Sequence, residues 1–341
     1  MNDGSRPTRV MTERDLEVGF SLSSEEHTAA ALVAQARRAE EAGFDFAVIS
    51  DHFHPWTDTQ GNSPFVWAVL GGISQATTRL RLGTGVTCAM RIHPALVAQA
   101  AATVAALMPG RFFLGMGTGE NLNEHILGER WPPIAIRREM LEEAVDVIRR
   151  LWSGVRVSHH GPHYTVEDAR LYSLPDQAPA LMIAAAGERA ARVAGRLGDG
   201  IIAVAPKADL LEAFAAEGGA DKPRYGQLHA CWAATESEAR RTAYEWWPNS
   251  ALPGSLGSEL RLPSEFAEVA LMLSEDDVAH SVVCGPDPDR HVAALEEYVA
   301  AGFDHVYIHQ VGPDQDGFFR FYEREVLPRV RRTAGSPAGR V

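Results

Sequence analysis

The sequence is short of lysine and lacks any long apolar run. Lys207 and Lys222 are the only lysines, so nearly all of the 32 basic residues are arginines, and 45 acidic residues give a formal net charge of −13. A chain this acidic is a poor candidate for nucleic-acid binding. No apolar stretch approaches the length that crosses a bilayer, and Met1–Asp15 lacks an apolar signal core. We therefore expect a small-molecule substrate and neither a nucleic-acid nor a membrane partner.

Cysteine is also scarce. Cys88, Cys231 and Cys284 lie far apart and are odd in number. This spacing fits neither a disulfide framework nor a zinc site built on C-x-x-C pairs. The pattern is typical of a reducing compartment, so we expect a cytoplasmic protein.

Apolar runs alternate with helical segments along the chain. Eight runs predict strands, namely Leu16–Leu22, Phe46–Ile49, Arg79–Val86, Arg111–Met116, Ala180–Ala185, Gly200–Ala205, Tyr225–Ala233 and Asp304–His309. Ser23 and Glu26 form an S-x-x-E capping box that predicts the start of the first helix. Strands alternating with helices indicate a parallel sheet, and eight pairs favour a (β/α)₈ TIM barrel of the α/β class.

No linker-like stretch divides the chain, so we expect a single barrel domain over residues 15–332. Three segments fall outside the repeat and are expected to be insertions, near residues 121–135, 155–168 and 234–290. The second is predicted to be a small hairpin. Long helices are predicted at Ile136–Trp152 and, closing the barrel, at Phe318–Arg332. Residues 1–14 and 333–341 are predicted to be flexible tails.

The predicted strand Phe46–Ile49 delivers several reactive side chains to one point. Ser50, Asp51 and His52 follow it directly, with His54 and Trp56 close behind. In a barrel of parallel strands, this end is the catalytic face. Other predicted strand ends add Glu25, Gly85, Val86, Cys88, Glu120, Asn123, Gly187 and Lys207. Taken alone, the stretch also fits a polar loop with a packed tryptophan.

Several familiar site patterns are missing. His52 and His54 form an H-x-H pair that could hold zinc, but the fifth, sixth and seventh predicted strand ends supply neither imidazole nor carboxylate. Catalytic zinc needs three protein ligands, so we predict no metal site. No serine has the G-x-S-x-G environment of a hydrolase nucleophile. The turn at Gly117 and Gly119 lacks G-x-G-x-x-G spacing, so a nicotinamide fold is not indicated.

Two of the predicted strand ends carry residues that could take part in chemistry or in ligand binding. Glu120 has apolar neighbours before it, and burial would raise its pKa and suit a proton donor. A solvated loop glutamate fits this stretch equally well. Ala186 and Gly187 lead straight into a helix, whose N-terminus could bind phosphate through free backbone N–H groups. An ordinary turn glycine is the alternative.

The motifs in chain order resemble those of one enzyme family. They are Ser50-Asp51-His52-Phe53 with Pro55-Trp56, Leu82-Gly83-Thr84-Gly85-Val86, Gly117-Thr118-Gly119-Glu120-Asn121-Leu122-Asn123-Glu124, Gly198-Asp199-Gly200 and Gly302-Phe303-Asp304-His305. Together they resemble the luciferase-like, coenzyme F420-dependent oxidoreductases, specifically the group related to F420-dependent glucose-6-phosphate dehydrogenase. The resemblance implies a luciferase-like TIM barrel with an insertion, a homodimer, and hydride transfer between the deazaflavin F420 and an alcohol or carbonyl carbon.

The resemblance also implies roles for individual residues. His52 corresponds to the base for the substrate hydroxyl, Glu120 to the acid that protonates the reduced deazaflavin ring, Trp56 to an aromatic that stabilises the reacting pair, and Glu25 to a further active-site acid. Cofactor contacts are implied at Asp51, Gly85, Val86, Cys88, Asn123, Ala186 and Gly187. The peptide between Gly85 and Val86 is implied to be a non-proline cis bond.

The chain departs from the sugar-phosphate enzymes at the substrate site. Their sixth loop carries a Thr and a Lys that help hold the phosphate, and the matching positions here are Val204 and Lys207. Two further cationic positions align loosely with Val269 and Ser281. Losing charge-assisted contacts weakens binding of a dianion, so we predict a substrate other than glucose 6-phosphate. The alternatives are an FMN-dependent luciferase-like oxidoreductase or monooxygenase, a zinc hydrolase on the same barrel, and a cofactor carrier without activity.

Overall fold

A computed structural model describes residues 16–334 of the chain. The strands are β1 (Glu17–Leu22), β2 (Phe46–Ile49), β3 (Arg81–Thr84), β4 (Phe112–Met116), β5 (Val157–His160), β6 (Thr165–Ala169), β7 (Ala180–Ala184), β8 (Gly200–Ala203), β9 (Arg224–Cys231), β10 (Val283–Cys284) and β11 (His305–Gln310). Eight of them pair in parallel in the order β1–β2–β3–β4–β7–β8–β9–β11, and β11 pairs back onto β1. The predicted (β/α)₈ TIM barrel is therefore confirmed.

Helices connect these strands and cover the barrel. They are α1 (Ala29–Ala42), α2 (Val66–Ala76), α3 (Pro94–Leu107), α4 (Asn121–Glu124), α5 (Ile134–Trp152), α6 (Glu188–Leu197), α7 (Ala208–Phe214), α8 (Glu236–Trp246), α9 (Leu256–Glu259), α10 (Pro263–Ala270), α11 (Glu275–Ala279), α12 (Pro288–Ala301), α13 (Gln315–Phe321) and α14 (Leu327–Ala334). No helix within residues 16–334 is long and apolar enough to cross a membrane.

The barrel interior is filled by side chains that alternate along the strands. These are Phe46, Val48, Phe113, Met182, Ile202, Tyr225 and Tyr307. Gly83 leaves room for this packing, because an added Cβ would lie 2.0 Å from the Phe113 ring. Leu228 and Ala230 belong instead to the outer cluster under the helices. Because strand side chains alternate between faces, His229 points into the barrel near its carboxyl end.

The predicted capping box at Ser23 and Glu26 is wrong. α1 begins at Ala29, and its N-cap is Thr28, whose side chain accepts a hydrogen bond from Ala31 N at 3.3 Å. The Glu26 carboxylate instead accepts a hydrogen bond at 2.9 Å from Gly312 N, which lies after the neighbouring strand β11. A tertiary partner therefore replaced the local one that the S-x-x-E spacing offers.

Other boundaries differ from the prediction by a few residues. α5 begins at Ile134, and β3 ends at Thr84 because the chain turns at Gly85–Val86. The closing segment starts earlier, at Gln315, and α14 continues to Ala334, so residues 333–334 of the predicted tail are helical. Residues 1–14 and the rest of that tail lie outside the described residues.

Two of the segments outside the repeat have their own structure. β5 and β6 pair antiparallel as the predicted hairpin. Residues 234–290 carry α8 to α11 and the short strand β10, which pairs in parallel with the end of β9 through Val283 and Ala230. This segment therefore lies at the carboxyl end of the barrel, where it can shape a site.

Candidate active site

The loops after β1, β2 and β4 bring two carboxylates to one imidazole. His52 Nε2 lies 3.3 Å from Glu25 Oε1 and 3.4 Å from Glu120 Oε2. His52 Nδ1 lies 3.2 Å from the His54 carbonyl oxygen and donates to it, since a carbonyl can only accept. Nε2 is thus the nitrogen that faces the two acids, and in the neutral ring its lone pair is free to accept a proton.

Glu25 is the ionised member of the pair. Its side chain is buried and accepts hydrogen bonds from Ser50 Oγ at 2.5 Å and Ser23 Oγ at 3.1 Å. Burial alone would raise the pKa of Glu25, but His52 and the Ser50 hydroxyl outweigh it, and the pKa is lowered. Ser50 follows β2 directly, so the strand fixes the donor that keeps Glu25 charged.

Glu120 is shifted in the opposite direction. Burial raises its pKa above the usual value, and the Glu25 charge adds to this effect, although His52 and Arg91 oppose it. Its side chain is still 34% exposed, so it can reach a bound molecule while the surrounding protein disfavours its charge. Two carboxylates with oppositely shifted pKa values around one imidazole are a typical acid and base arrangement.

Asn123 holds this arrangement in place. Its Oδ1 accepts hydrogen bonds from Phe53 N at 2.8 Å and His54 N at 3.2 Å, and its Nδ2 donates to Glu120 Oε2 at 3.3 Å. The side chain is buried, and its hydrogen bonds join the β2 loop to the β4 loop. In this structure Asn123 therefore positions the two loops.

Trp56 packs beside the imidazole. Its ring centroid lies 5.0 Å from that of His52 and 5.2 Å from that of Phe266 in α10. Gln60 fixes the loop, because its Oε1 accepts from Trp56 N at 2.8 Å and its Nε2 donates to the Trp246 carbonyl at 2.8 Å. The segment 234–290 and the β2 loop thus form one wall of the site.

A second buried cluster lies under the loop after β3. Asp51 accepts from Arg91 Nη2 at 2.7 Å and from Thr87 Oγ1 at 2.7 Å. Burial raises the pKa of Asp51 despite these partners. Cys88 is buried, which raises the pKa of its thiol far above the usual value, so the thiol stays protonated.

Arg91 and Glu124 were missed as site residues by the sequence argument. Burial raises the pKa of Glu124 to about 7, although the charge of Arg91 acts to lower it. Arg91 Nη1 and Glu124 Oε2 are buried and have no hydrogen-bond partner among residues 16–334. Orphaned buried polar atoms are rare in proteins, so these two mark the space beside Cys88 as a place for a polar ligand group.

The residues predicted to contact the cofactor lie on neighbouring strand ends. The Gly85–Val86 peptide is cis. Gly187 precedes α6, and within residues 16–334 no side chain caps that helix and no atom lies within 4 Å of a Cβ added to Gly187. The first backbone N–H groups of α6 are therefore free for an anion. Gly187 lets a ligand come close to the backbone, the start of α6 offers N–H donors, and Arg91 Nη1 and Glu124 Oε2 lack partners. Together these features fit a large, negatively charged cofactor.

The predicted substrate residues lie on the next loop around the barrel. Val204 follows β8 and is 58% exposed, and Lys207 is exposed at the start of α7. Val269 lies in α10, while Ser281 follows α11 and donates to Ser250 Oγ and the Val278 carbonyl. Of these four side chains, only that of Lys207 carries a positive charge.

The expectation that the seventh strand end supplies no imidazole is wrong. β9 ends at Cys231, so His229 lies within it and faces the barrel interior. Its Nδ1 lies 3.0 Å from His309 Nδ1, and His309 Nε2 lies 2.6 Å from Glu26 Oε2. The predicted strand ended two residues later, at Ala233, and His229 stands in the His-Ala-Cys sequence that closes the observed strand.

The H-x-H pair does not converge on one point. His54 Nδ1 bonds to the Leu122 carbonyl at 2.9 Å and its ring stacks on His125, away from the acids around His52. Among residues 16–334, no group of three His, Cys, Asp or Glu side chains is arranged to hold a metal ion.

Comparisons with known proteins agree with this geometry. The family model described as luciferase-like monooxygenase matches residues 16–305. The F420-dependent glucose-6-phosphate dehydrogenase of Mycobacterium avium (strain 104) is 37% identical, over 93% of this chain and 99% of its own. The F420-dependent hydroxymycolic acid dehydrogenase of Mycobacterium tuberculosis (strain ATCC 25618 / H37Rv) is 37% identical, over 96% and 92%.

A solved structure is similar over nearly the whole fold. An F420-dependent secondary alcohol dehydrogenase, in complex with an F420-acetone adduct, superposes with a TM-score of 0.86 at 28% identity, covering 93% of this chain and 99% of that one. The family match spans most of the barrel, and the resemblance noted in the sequence motifs is confirmed. This chain belongs to the luciferase-like monooxygenase family.

Proposed function

We propose that the protein is a coenzyme F420-dependent oxidoreductase that moves a hydride between the deazaflavin and an alcohol or carbonyl carbon. The observation that carries this proposal is His52, held between Glu25 and Glu120, whose pKa values are shifted in opposite directions. The relatives named above support it, since each of their names includes F420 dependence.

The cofactor would lie across the ends of β2, β3, β4 and β7. Asp51, Gly85, Val86, Cys88, Ala186 and Gly187 are the proposed contacts, with Asn123 positioning the adjoining loops. When bound, F420 supplies a two-electron hydride donor or acceptor. The free N–H groups at the start of α6 suit its phosphodiester. Arg91 Nη1, which is buried and has no hydrogen-bond partner among residues 16–334, is a further donor for its polar groups.

The protein side chains then handle the proton. His52 Nε2 accepts the proton of the substrate hydroxyl in the oxidation direction and returns it in reduction. Glu25, ionised and 3.3 Å away, stabilises the imidazolium that forms. Glu120 holds its proton to a higher pH than an ordinary glutamate, because its surroundings disfavour the charge. Trp56 packs beside the imidazole.

The proposed substrate carries less charge than glucose 6-phosphate. A phosphate dianion needs several fixed cations or N–H groups, and each hydrogen bond to a charged group contributes about 1.5–3 kcal/mol. Lys207 is the only cation among the four positions that correspond to the phosphate site, and Val204 presents an exposed isopropyl group there. We infer a neutral or weakly charged alcohol, aldehyde or ketone, held in part by Val204.

Two titrations test the cofactor. Purified protein is titrated with F420 and, separately, with FMN, and binding is followed by calorimetry. We expect F420 to bind and FMN to bind far more weakly. Tight binding of FMN alone would move the protein to the flavin-dependent branch of its family and would end this proposal.

A substrate panel tests the chemistry. F420 absorbance is followed with glucose 6-phosphate and with neutral secondary alcohols of increasing length. We expect turnover with members of the alcohol series and weak or no turnover with the sugar phosphate. Efficient reduction of F420 by glucose 6-phosphate, with none by the alcohols, would contradict the substrate assignment and leave the cofactor assignment intact.

We also propose a cytoplasmic homodimer in which residues 15–332 form one domain. Three buried cysteines without disulfides suit a reducing compartment. The family resemblance is the ground for the dimer. Light scattering during size-exclusion chromatography measures the mass directly, and a mass close to the 37.1 kDa of one chain would contradict the dimer.

A further inference from the structure

His229 is placed at the substrate side of the barrel mouth. It faces the interior near the end of β9, the strand between β8 and β11. The proposed cofactor contacts occupy β2, β3, β4 and β7 on the other side of the barrel, and Val204 follows β8. The space beside His229 is therefore the continuation of the proposed substrate site.

A chain of hydrogen bonds determines which ring nitrogen of His229 carries the proton. Glu26 accepts from Gly312 N at 2.9 Å and from His309 Nε2 at 2.6 Å. With its single proton on Nε2, His309 has a lone pair on Nδ1, and this nitrogen lies 3.0 Å from His229 Nδ1. His229 must then carry its proton on Nδ1, which leaves Nε2 as an acceptor.

In the opposite arrangement, His309 Nδ1 would donate to His229 Nδ1. His309 would then need a second proton, because its Nε2 already donates to Glu26. His229 itself stays neutral, because burial and the neighbouring His309 lower its pKa to about 3. Glu26 thus acts through His309 as a positioning residue for the His229 tautomer.

The Nε2 nitrogen of His229 lies near a group of aromatic side chains, Trp56 and Trp247, which we call the aromatic wall. Among residues 16–334, no hydrogen bond reaches His229 Nε2, and the residue is only partly buried. The Trp247 ring lies 5.9 Å from His229 and 4.2 Å from His309. Trp56, whose ring stands beside His52, packs against the same apolar cluster as Trp247. The wall therefore runs from the reacting centre to His229.

We propose that His229 determines specificity by accepting, at Nε2, a hydrogen bond from a second donor group of the substrate, a hydroxyl or N–H that does not react. The inference deepens the proposed function and rests on it for the location of the reacting carbon. The substrate class is an alcohol or ketone with an additional hydroxyl or amino group along its chain. A phosphate dianion offers only acceptors, so it gains nothing from this nitrogen.

Matched pairs of substrates test the proposal. Propan-2-ol, butan-2-ol and pentan-2-ol are compared with propane-1,2-diol, butane-1,3-diol and pentane-1,4-diol, which add one terminal hydroxyl at increasing distance. A hydrogen bond of about 1–1.5 kcal/mol corresponds to about a tenfold preference. We expect wild type to prefer one diol over its mono-alcohol by about tenfold or more in kcat/KM.

Variants assign that preference to the imidazole. His229→Leu should abolish this preference, and His229→Gln, which retains an acceptor, should restore part of it. His160→Ala, on the exposed hairpin, is the matched control and should leave it unchanged. A wild-type enzyme without preference, or a preference that survives His229→Leu, overturns the proposal.

A readout that does not need turnover keeps the two proposals apart. Protein with ¹⁵N-labelled histidine, with and without His229→Leu, assigns the His229 resonances. We expect a protonated Nδ1, an unprotonated Nε2, and an Nε2 shift on adding the preferred diol to the F420 complex but not on adding the mono-alcohol. A proton on Nε2, or no shift with any diol, overturns the role of His229. Failure to bind F420 overturns the proposed function instead.

Discussion

Glu25 and Glu26 are neighbours in the chain, yet their carboxylates bind two different histidines. Glu25 lies 3.3 Å from His52 on the loop after β2, and Glu26 lies 2.6 Å from His309 in β11. One short loop after β1 therefore organises both sides of the barrel mouth. The first pair faces the proposed reacting centre, and the second orients His229 towards the substrate.

His52→Ala should reduce turnover strongly while leaving F420 binding nearly unchanged. General acid and base groups contribute about 10²–10⁴-fold, so kcat should fall by about that factor. Steady-state rates and an F420 titration of the same protein measure the two effects. His160→Ala is the control, because that imidazole is exposed on the hairpin. A variant with wild-type kcat would remove His52 from the proposed mechanism.

Glu120→Gln should change the pH profile as well as the rate. The pKa of Glu120 is raised, so the carboxyl keeps its proton above the usual range and loses it as the pH rises further. If the protonated form is the active one, wild-type kcat declines on that alkaline side. We expect Glu120→Gln to be slower by about 10²–10⁴-fold and to lack this decline.

Glu167→Gln, on the exposed face of the hairpin strand β6, provides the control for Glu120 and should keep the wild-type profile. A Glu120→Gln enzyme that retains both the wild-type rate and the alkaline decline would show that another group titrates there.

Glu124→Gln should stabilise the protein at alkaline pH. The folded state raises the pKa of Glu124 from 4.5 to about 7, so it binds this proton more tightly than the unfolded chain. Stability therefore falls as the pH rises from about 4.5 to 7, by at most about 3 kcal/mol at 1.36 kcal/mol per pH unit. Glu124→Gln has no carboxyl to ionise, so its free energy of unfolding does not decrease through this pH range for that reason.

Urea unfolding at pH 4 and at pH 8 measures the difference. The gain of Glu124→Gln should be present at pH 8 and absent at pH 4, where the carboxyl is protonated in both states. Glu129→Gln, an exposed position in the next turn, should show no gain at either pH. A gain of equal size at both values would mean that the carboxyl is not responsible.

Val204→Thr should improve activity with glucose 6-phosphate. The added hydroxyl can donate to a phosphate oxygen, and one such bond of about 1.5–3 kcal/mol corresponds to about 10–100-fold in kcat/KM. Val204→Ala is the matched control, since it makes room without adding a donor. If both variants change the sugar-phosphate rate equally, the hydroxyl is not the cause and the predicted position of the phosphate is wrong.

The local signals in the sequence were sufficient for the repeat and for the first reactive loop. Apolar runs separated by helical segments predicted the eight barrel strands. A strand buried on both faces is apolar whichever strands it pairs with, so the run can be recognised from local sequence. His52, Trp56 and Glu120 follow predicted strands, and the carboxyl ends of parallel strands meet at one edge. The structure brings these side chains together with Glu25, as that rule requires.

Contacts between distant parts of the chain decided the rest. Glu26 and His309 are 283 residues apart, and this contact overrode the capping box that the local spacing offered. The register of β9 turned His229 inward, because a shift of the strand pairing by one residue would move every side chain of the strand to the opposite face. The opposite pKa shifts of Glu25 and Glu120 depend on burial and on a shared imidazole. Local sequence patterns therefore predict many of the groups that reach the barrel mouth, whereas contacts between distant residues set their partners, their orientation and their charge.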